Sequence, residues 1–335
     1  MDLPNDTAYA ETCAAIGLFL FSSRMVRLHN QARYADVMER CLYNGIISGL
    51  SLDGESYFYV NPLEVVPAVC DTNGAYRQVK YRRQPWYGCA CCPPNLARTL
   101  TSIGDHAYHL HGDTLFADLY HEGSVIFAVN SREVRLQQRT RYPWDGTVTF
   151  HPVTDEPQEF TLALRIPSWC HGHAVSLNGA KLPGDTGPDG YVHVRRAWSK
   201  ADTLELTLPL KAERIHADPR VHADSGKVAI QRGPVVYCLE EADNGPHLSN
   251  LRLPPDAPLE TVDRADLFGG VVAISARAVG GRVWKGGLYA HDVSPNEGPA
   301  RQVLFIPYYA WANRTPGEMA VWIREEAPRL YADRT

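Results

Sequence analysis

At about residue 108 the hydrophobic pattern of this chain changes its period, and that change constrains the fold more than any other feature. Before it, apolar residues recur at three-to-four spacing: Ala8, Ala15, Leu18 and Met25 with Ile16, Leu20 and Leu28, then Tyr34, Val37, Met38, Cys41 and Leu42. Pro4-Asn5-Asp6-Thr7 supplies turn and cap chemistry, so residues 7–50 read as helical, with a second helix over about 32–47 ending at Ser48-Gly49. A loop-rich stretch over 53–87 carries one short strand-like run at 57–60. Cys91-Cys92-Pro93-Pro94-Asn95 suits a helix start, continued by Leu96 to about His106. After 108 the pattern becomes short alternating segments, at 115–120, 125–129, 147–151, 160–166 and 204–208, divided by Gly, Pro, Asp and Asn. Further strands are expected at 227–230, 235–239, 302–309 and 320–324, with 244–265 a loop or linker. Helices first and strands afterwards predict separate layers, a multidomain α-then-β chain whose β part has sandwich architecture.

Length and composition exclude several classes. The 335 residues suffice for two or three domains. The net charge of −5, with 21% charged residues, does not suggest a nucleic-acid surface. The run around 16–21 stops at Ser22-Ser23-Arg24, far short of a membrane span. The opening residues lack the basic start and apolar core of a signal peptide, which points to the cytoplasm, and exposed sandwich surfaces make a homodimer a reasonable expectation.

Eight cysteines are too few for a disulfide scaffold, yet three of them, Cys89, Cys91 and Cys92, fall within four residues. Glu11 and Cys13 open the first helix, and together with Cys91 and Cys92 they make a plausible oxygen-and-thiolate set for zinc. On a helix, positions i and i+2 diverge by about 200°, so Glu11 and Cys13 converge only at a helix terminus or an irregular turn. Buried thiols without a metal are the alternative reading. At a helix start, the partial positive charge lowers a thiol's pKa, so Cys91 and Cys92 suit a nucleophile. Cys89 is expected to be structural, and Cys41, Cys70, Cys170 and Cys238 lie in apolar patterns. His106, His109, His111 and His121 read as ordinary surface or hydrogen-bonded histidines. The basic run 80–83 reads as a solvated loop. Trp86 and Tyr87 fit either sugar stacking or packing beneath the loop.

Several segments resemble the β-L-arabinofuranosidase family of glycoside hydrolases. They are Leu3-Pro4-Asn5-Asp6-Thr7, Tyr9-Ala10-Glu11-Thr12-Cys13-Ala14, Tyr59-Val60-Asn61-Pro62-Leu63, Gly88-Cys89-Ala90-Cys91-Cys92-Pro93-Pro94-Asn95, Arg165-Ile166-Pro167-Ser168-Trp169 and Ile306-Pro307-Tyr308-Tyr309-Ala310-Trp311. The resemblance covers nearly the whole chain. It implies the C-terminal part of an (α/α)6 barrel over 1–107, a first β-sandwich over 108–212 plus 305–335, and a second, inserted β-sandwich over 213–304. It also implies one Zn2+ held by Glu11, Cys13, Cys91 and Cys92, with Cys91 the nucleophile and Tyr59 close to the sugar. The activity implied is exo-acting, retaining hydrolysis of an arabinose-containing oligosaccharide or glycoconjugate, with neither nucleic acid nor membrane as partner.

The family's glutamate acid/base stands upstream of the Leu-Pro-Asn-Asp segment, and that position falls before residue 1. A polypeptide of these 335 residues is therefore expected to be a truncated enzyme, weakly active or inactive. Two other readings stay open: a non-catalytic, zinc-stabilised carbohydrate-binding protein, and a related barrel hydrolase acting on a different terminal sugar.

Overall fold

A computed structural model describes residues 3–280, 289 and 298–325, and all structural statements concern these. The chain divides into two compact units, Met1–Thr12, Ile47–Ala90 and Ala212–Thr335 forming one, Cys13–Ile46 and Cys91–Lys211 the other. Four α-helices lie within residues 12–101: α1 (Thr12–His29), α2 (Ala32–Arg40), the short α3 (Pro67–Thr72) and α4 (Cys92–Thr101). The first helix begins later than the sequence pattern predicts. Residues 5–7 instead form a turn and 8–10 have no regular structure, tied by the amides of Leu63 and Asn61, which donate to the carbonyls of Asn5 and Ala10. Among the described residues no helix is long and apolar enough to cross a membrane.

The Cys13–Lys211 unit holds two sheets behind its helices. One has four strands in the order Tyr191–Trp198, Gln158–Arg165, Thr114–Ala117, Tyr108–His111. The other has six, from Gly123–Val129 through Arg132–Thr140, Thr147–Val153, Leu204–Thr207 and Ala174–Leu177 to Ala180–Lys181. Alternation explains their packing: Val134 and Leu136 are buried while Glu133 and Arg135 are exposed, so one face of the strand meets the core. Phe127 of one sheet meets Phe160 of the other edge to face at 5.2 Å, the contact of a two-layer sandwich. Helix α2 joins this core through charge. The fully buried Arg165 binds Asp36 at 2.7 Å and also pairs with Glu39, which accepts from Tyr142 Oη at 2.6 Å and Trp169 Nε1 at 3.0 Å.

The other unit corrects two expectations. Its ten-stranded sheet does not split into a sandwich. Val235–Glu240 pairs with Ala300–Pro307, which pairs with Val271–Val279, and the chain of pairings continues through Arg252–Leu253, Ile323–Glu325 and Lys227–Arg232 back to Val235–Glu240. This ring of six strands closes around Ile230, Tyr237, Leu239, Leu253, Ile274, Val303, Phe305 and Ile323, all buried. Inward-outward alternation is the same in a stacked pair of sheets and in one sheet that closes, so the sequence pattern could not separate them. The strands at 300–307, 319–320 and 323–325 all pair inside this sheet, so the described C-terminal residues belong with 212–279 and do not return to the first sandwich. Residues 326–335 of that expectation lie outside the described residues. The stretch read as a linker contains two paired strands, Arg252–Leu253 and Glu260–Arg264, too short or too polar to announce themselves.

Arg83, expected in a solvated basic run, is buried. It donates to the carbonyls of Ser48 at 2.8 Å, Trp311 at 2.6 Å and Tyr309 at 3.0 Å, and its guanidinium stands 4.6 Å over Phe58. Phe58 in turn stacks on Trp311 at 4.7 Å, so this side chain ties the loops that flank residues 57–60.

Candidate functional site

Glu11 is held outside the helix that carries Cys13. It forms an isolated antiparallel bridge with Val60. The next residue, Thr12, is buried; its amide donates to Tyr59 O at 3.0 Å and its hydroxyl to Phe58 O at 2.9 Å. Asn61 completes the arrangement: its amide nitrogen donates to Ala10 O at 3.2 Å and Thr12 Oγ1 at 3.1 Å, while its oxygen accepts from Ser48 Oγ at 2.9 Å. The residues on both sides of Glu11 are thus fixed by one side-chain amide. This resolves the divergence expected of positions i and i+2, because only Cys13 is helical.

Gly49 makes that seat possible. A Cβ there would meet Thr12 Cγ2 at 2.6 Å and Oγ1 at 2.7 Å. Gly49→Ala is therefore expected to displace Thr12 and to cost about 1–3 kcal/mol, measured as a lower urea midpoint.

Cys91 occupies the position before α4, and Pro93 and Pro94 fill its first turn, where a missing N–H costs nothing. Cys92 is buried, whereas Cys91 and Cys13 are half-buried. Within their unit the sulfurs of Cys13 and Cys92 stand 3.7 Å apart and those of Cys91 and Cys92 3.9 Å. Glu11 stands two residues before Cys13 in the chain, and the sulfurs of Cys13, Cys91 and Cys92 all lie within 4.8 Å of one another. Tetrahedral zinc with Zn–S near 2.3 Å requires S···S separations of about 3.8 Å, so the donor set fits that ion in both spacing and chemistry. Burial, with the sulfurs of Cys13 and Cys91 adding to it, pushes the Cys92 thiol well above its usual range. A cation held among these sulfurs would offset that burial, so the cluster could hold a metal ion.

Tyr59 is half-buried, in ring contact with Tyr9 at 6.2 Å and Tyr87 at 5.8 Å. Trp86 is 67% exposed, and Tyr87 is held by its ring contact with Tyr57 at 5.0 Å and by its backbone amide, which donates to Tyr57 Oη at 3.2 Å. Cys89 is exposed, and Cys70, Cys170 and Cys238 are buried as their patterns suggest. His109 is buried between Asp118 at 2.6 Å and Asn30 at 3.0 Å, and His106 meets Ser23 Oγ at 2.8 Å. The sequence pattern missed the side-chain amides around the ligands. Asn61 and Asn95 are visible in it only as members of the Tyr-Val-Asn-Pro-Leu and Cys-Cys-Pro-Pro-Asn motifs.

Three family descriptions match in succession: the GH127 catalytic domain of β-L-arabinofuranosidase over residues 1–105, its GH127 middle domain over 114–210, and the glycoside hydrolase family 127 C-terminal domain over 212–324. A non-reducing end β-L-arabinofuranosidase of Bifidobacterium longum subsp. longum is 38% identical across 96% of this chain and 50% of its own length. The crystal structure of a GH127 β-L-arabinofuranosidase from Geobacillus stearothermophilus T6 is 50% identical and superposes with a TM-score of 0.93, over 97% of this chain and 51% of that one. Another solved GH127 β-arabinofuranosidase is 35% identical with a TM-score of 0.85, over 97% of this chain and 51% of its own. The chain thus spans about half the length of these relatives.

Proposed function

We propose, from the premise that this chain belongs to glycoside hydrolase family 127, that it carries the nucleophile and the metal site of an exo-acting, retaining β-L-arabinofuranosidase. The substrate class is an arabinose-containing oligosaccharide or glycoconjugate with a β-L-arabinofuranosyl group at its non-reducing end. The observation that carries this reading is the gathering of the Cys13, Cys91 and Cys92 sulfurs within 4.8 Å of one another, with Glu11 two residues before Cys13 in the chain and Cys91 just ahead of a helix N-terminus. We assign the segment 1–107, with its helices α1 to α4, to the C-terminal part of an (α/α)6 barrel, as the resemblance implies.

Glu11, Cys13, Cys91 and Cys92 would hold the zinc. Bound there, the ion would let the three cysteines ligate as thiolates at neutral pH. Cys91 Sγ attacks the anomeric carbon; the S–C bond forms as the glycosidic C–O bond breaks, and the leaving oxygen takes up a proton. Water then displaces the sulfur and releases the sugar with net retention. In most retaining enzymes a carboxylate makes this attack. Glu11 is committed as a ligand, so the proton reaches the leaving oxygen from a group outside the cluster. Fixing Cys91 by the α4 start reduces the positional freedom that the attack must otherwise overcome. Tyr59, in its aromatic trio with Tyr9 and Tyr87, supplies a ring face for the sugar.

Metal analysis of the purified chain tests the site. Close to one zinc per chain is expected, with Cys92→Ser removing most of it, since a lost thiolate leaves three ligands. Full zinc retention in Cys92→Ser would sink the assignment.

A further inference from the structure

Asn95 lies in the first turn of α4, and its side-chain nitrogen is 3.1 Å from Cys13 Sγ. Its oxygen faces Arg98, whose Nη2 donates to it at 2.9 Å from one helical turn further on. Arginine has no acceptor, so the atom facing it must be the amide oxygen, and the NH2 group is left for the sulfur. The orientation of the amide is therefore set by chemistry. The backbone of the same residue is fixed as well: its N–H donates to Cys91 O at 3.4 Å, and its carbonyl accepts from Thr99 Oγ1 at 2.8 Å. One residue thus links the turn that carries Cys91 and Cys92 to the sulfur of Cys13 on α1.

A thiolate ligand is a strong hydrogen-bond acceptor, and a donor beside it orients the sulfur and draws off part of its charge. We propose that Asn95, locked by Arg98, is the outer-sphere positioning residue of the metal site, holding Cys13 Sγ in its ligating position. The inference rests on the zinc–thiolate reading above and extends it to two residues that bind no metal. Arg98 contributes through Asn95 and makes no contribution of its own to the cluster.

Titration of the apo chain with zinc against a chromophoric chelator, and with Co2+ followed by its thiolate charge-transfer band, tests this. Asn95→Ala is expected to weaken zinc binding about ten- to a hundred-fold, the usual effect of losing an outer-sphere partner, and to shift the cobalt band, a signature that general destabilisation does not produce. Asn95→Asp keeps the shape and loses the donor, so it should show the same loss even if the alanine variant fails to fold. Arg98→Ala is expected to have a smaller effect, and the double variant with Asn95→Ala to bind no worse than Asn95→Ala alone. Wild-type affinity and an unshifted band in Asn95→Asp would overturn the inference while leaving the metal site standing. Additive losses in the double variant would overturn the role given to Arg98. A wild-type chain that takes up neither zinc nor cobalt would overturn the zinc–thiolate reading itself, and the inference with it.

Discussion

An arabinofuranosyl derivative bearing a bromoacetamide group is expected to alkylate this chain once, at Cys91, and to leave Cys91→Ser unlabelled. Reactivity follows thiolate content and access together. Cys70 and Cys238 are buried, and burial raises both thiols. Burial also pushes Cys41 up to about 11, which leaves well under about one part in a hundred ionised at pH 8. Cys13 and Cys92 share the cluster with Cys91, but Cys92 has no access and Cys13 is engaged by Asn95. Cys89 is exposed, so it is the competitor that matters, and the labelling is best read in a Cys89→Ser background. Peptide mapping by mass spectrometry gives the site. A label on Cys13, or equal labelling of the Cys91→Ser chain, would remove Cys91 from its role, whereas a fully inert chain would favour a purely structural cluster. Excess free arabinose should slow the labelling, because the sugar part of the probe must be recognised before the sulfur is placed.

The parts of this site that sequence spacing exposed are those tied to local structure. Prolines after Cys92 mark a helix start whatever the tertiary fold, and α4 begins there. The placement of Glu11 was not local. Whether it lies in the helix or before it depends on the hydrogen bonds that Asn61 and Tyr59 make some 50 residues away, and those compete with the helical turn that Thr7 could otherwise have begun. The same holds for Asn95: its place in the helix was legible, but the sulfur it faces is 82 residues upstream. Arg83 shows the limit from the charge side. Lys-Tyr-Arg-Arg reads as solvated because burying a guanidinium is costly, and the cost is met only when three carbonyls from two distant loops converge on it.

Fold class was legible where alternation was long and regular, as in Arg132–Thr140 and Gln158–Arg165. It failed where closure rests on very short strands. Arg252–Leu253 contributes two residues to the ring, too few for any periodicity, yet without it Val271–Val279 and Ile323–Glu325 would not be joined. Each strand of the ring thereby has a neighbour on both sides, and in this unit a two-residue strand completes it, while Glu64–Val65, Ala212–Ile215 and Glu260–Arg264 stay at the sheet's edges.

Replacing Arg165 by Leu is expected to cost about 3–5 kcal/mol, the largest single loss of stability we anticipate in the Cys13–Lys211 unit. The reason is what remains after the guanidinium is gone. Glu39 is 2% exposed, and its hydrogen bonds from Tyr142 and Trp169 would persist without a cation to offset its desolvation. Asp36 is less constrained, because about a fifth of its side chain reaches solvent. Arg165 also donates from Nε to Asp118 O at 2.5 Å, so that buried carbonyl loses a partner too. The control is to remove both charges: Arg165→Met with Glu39→Leu should recover a large part of the loss, because an apolar pair of similar volume avoids burying either ion. A chain of two compact units need not unfold in one step, so hydrogen exchange across Gln158–Arg165 as urea rises is the appropriate measurement. A loss below about 1 kcal/mol in Arg165→Leu would mean that hydrogen bonding rather than charge holds α2 to the sandwich.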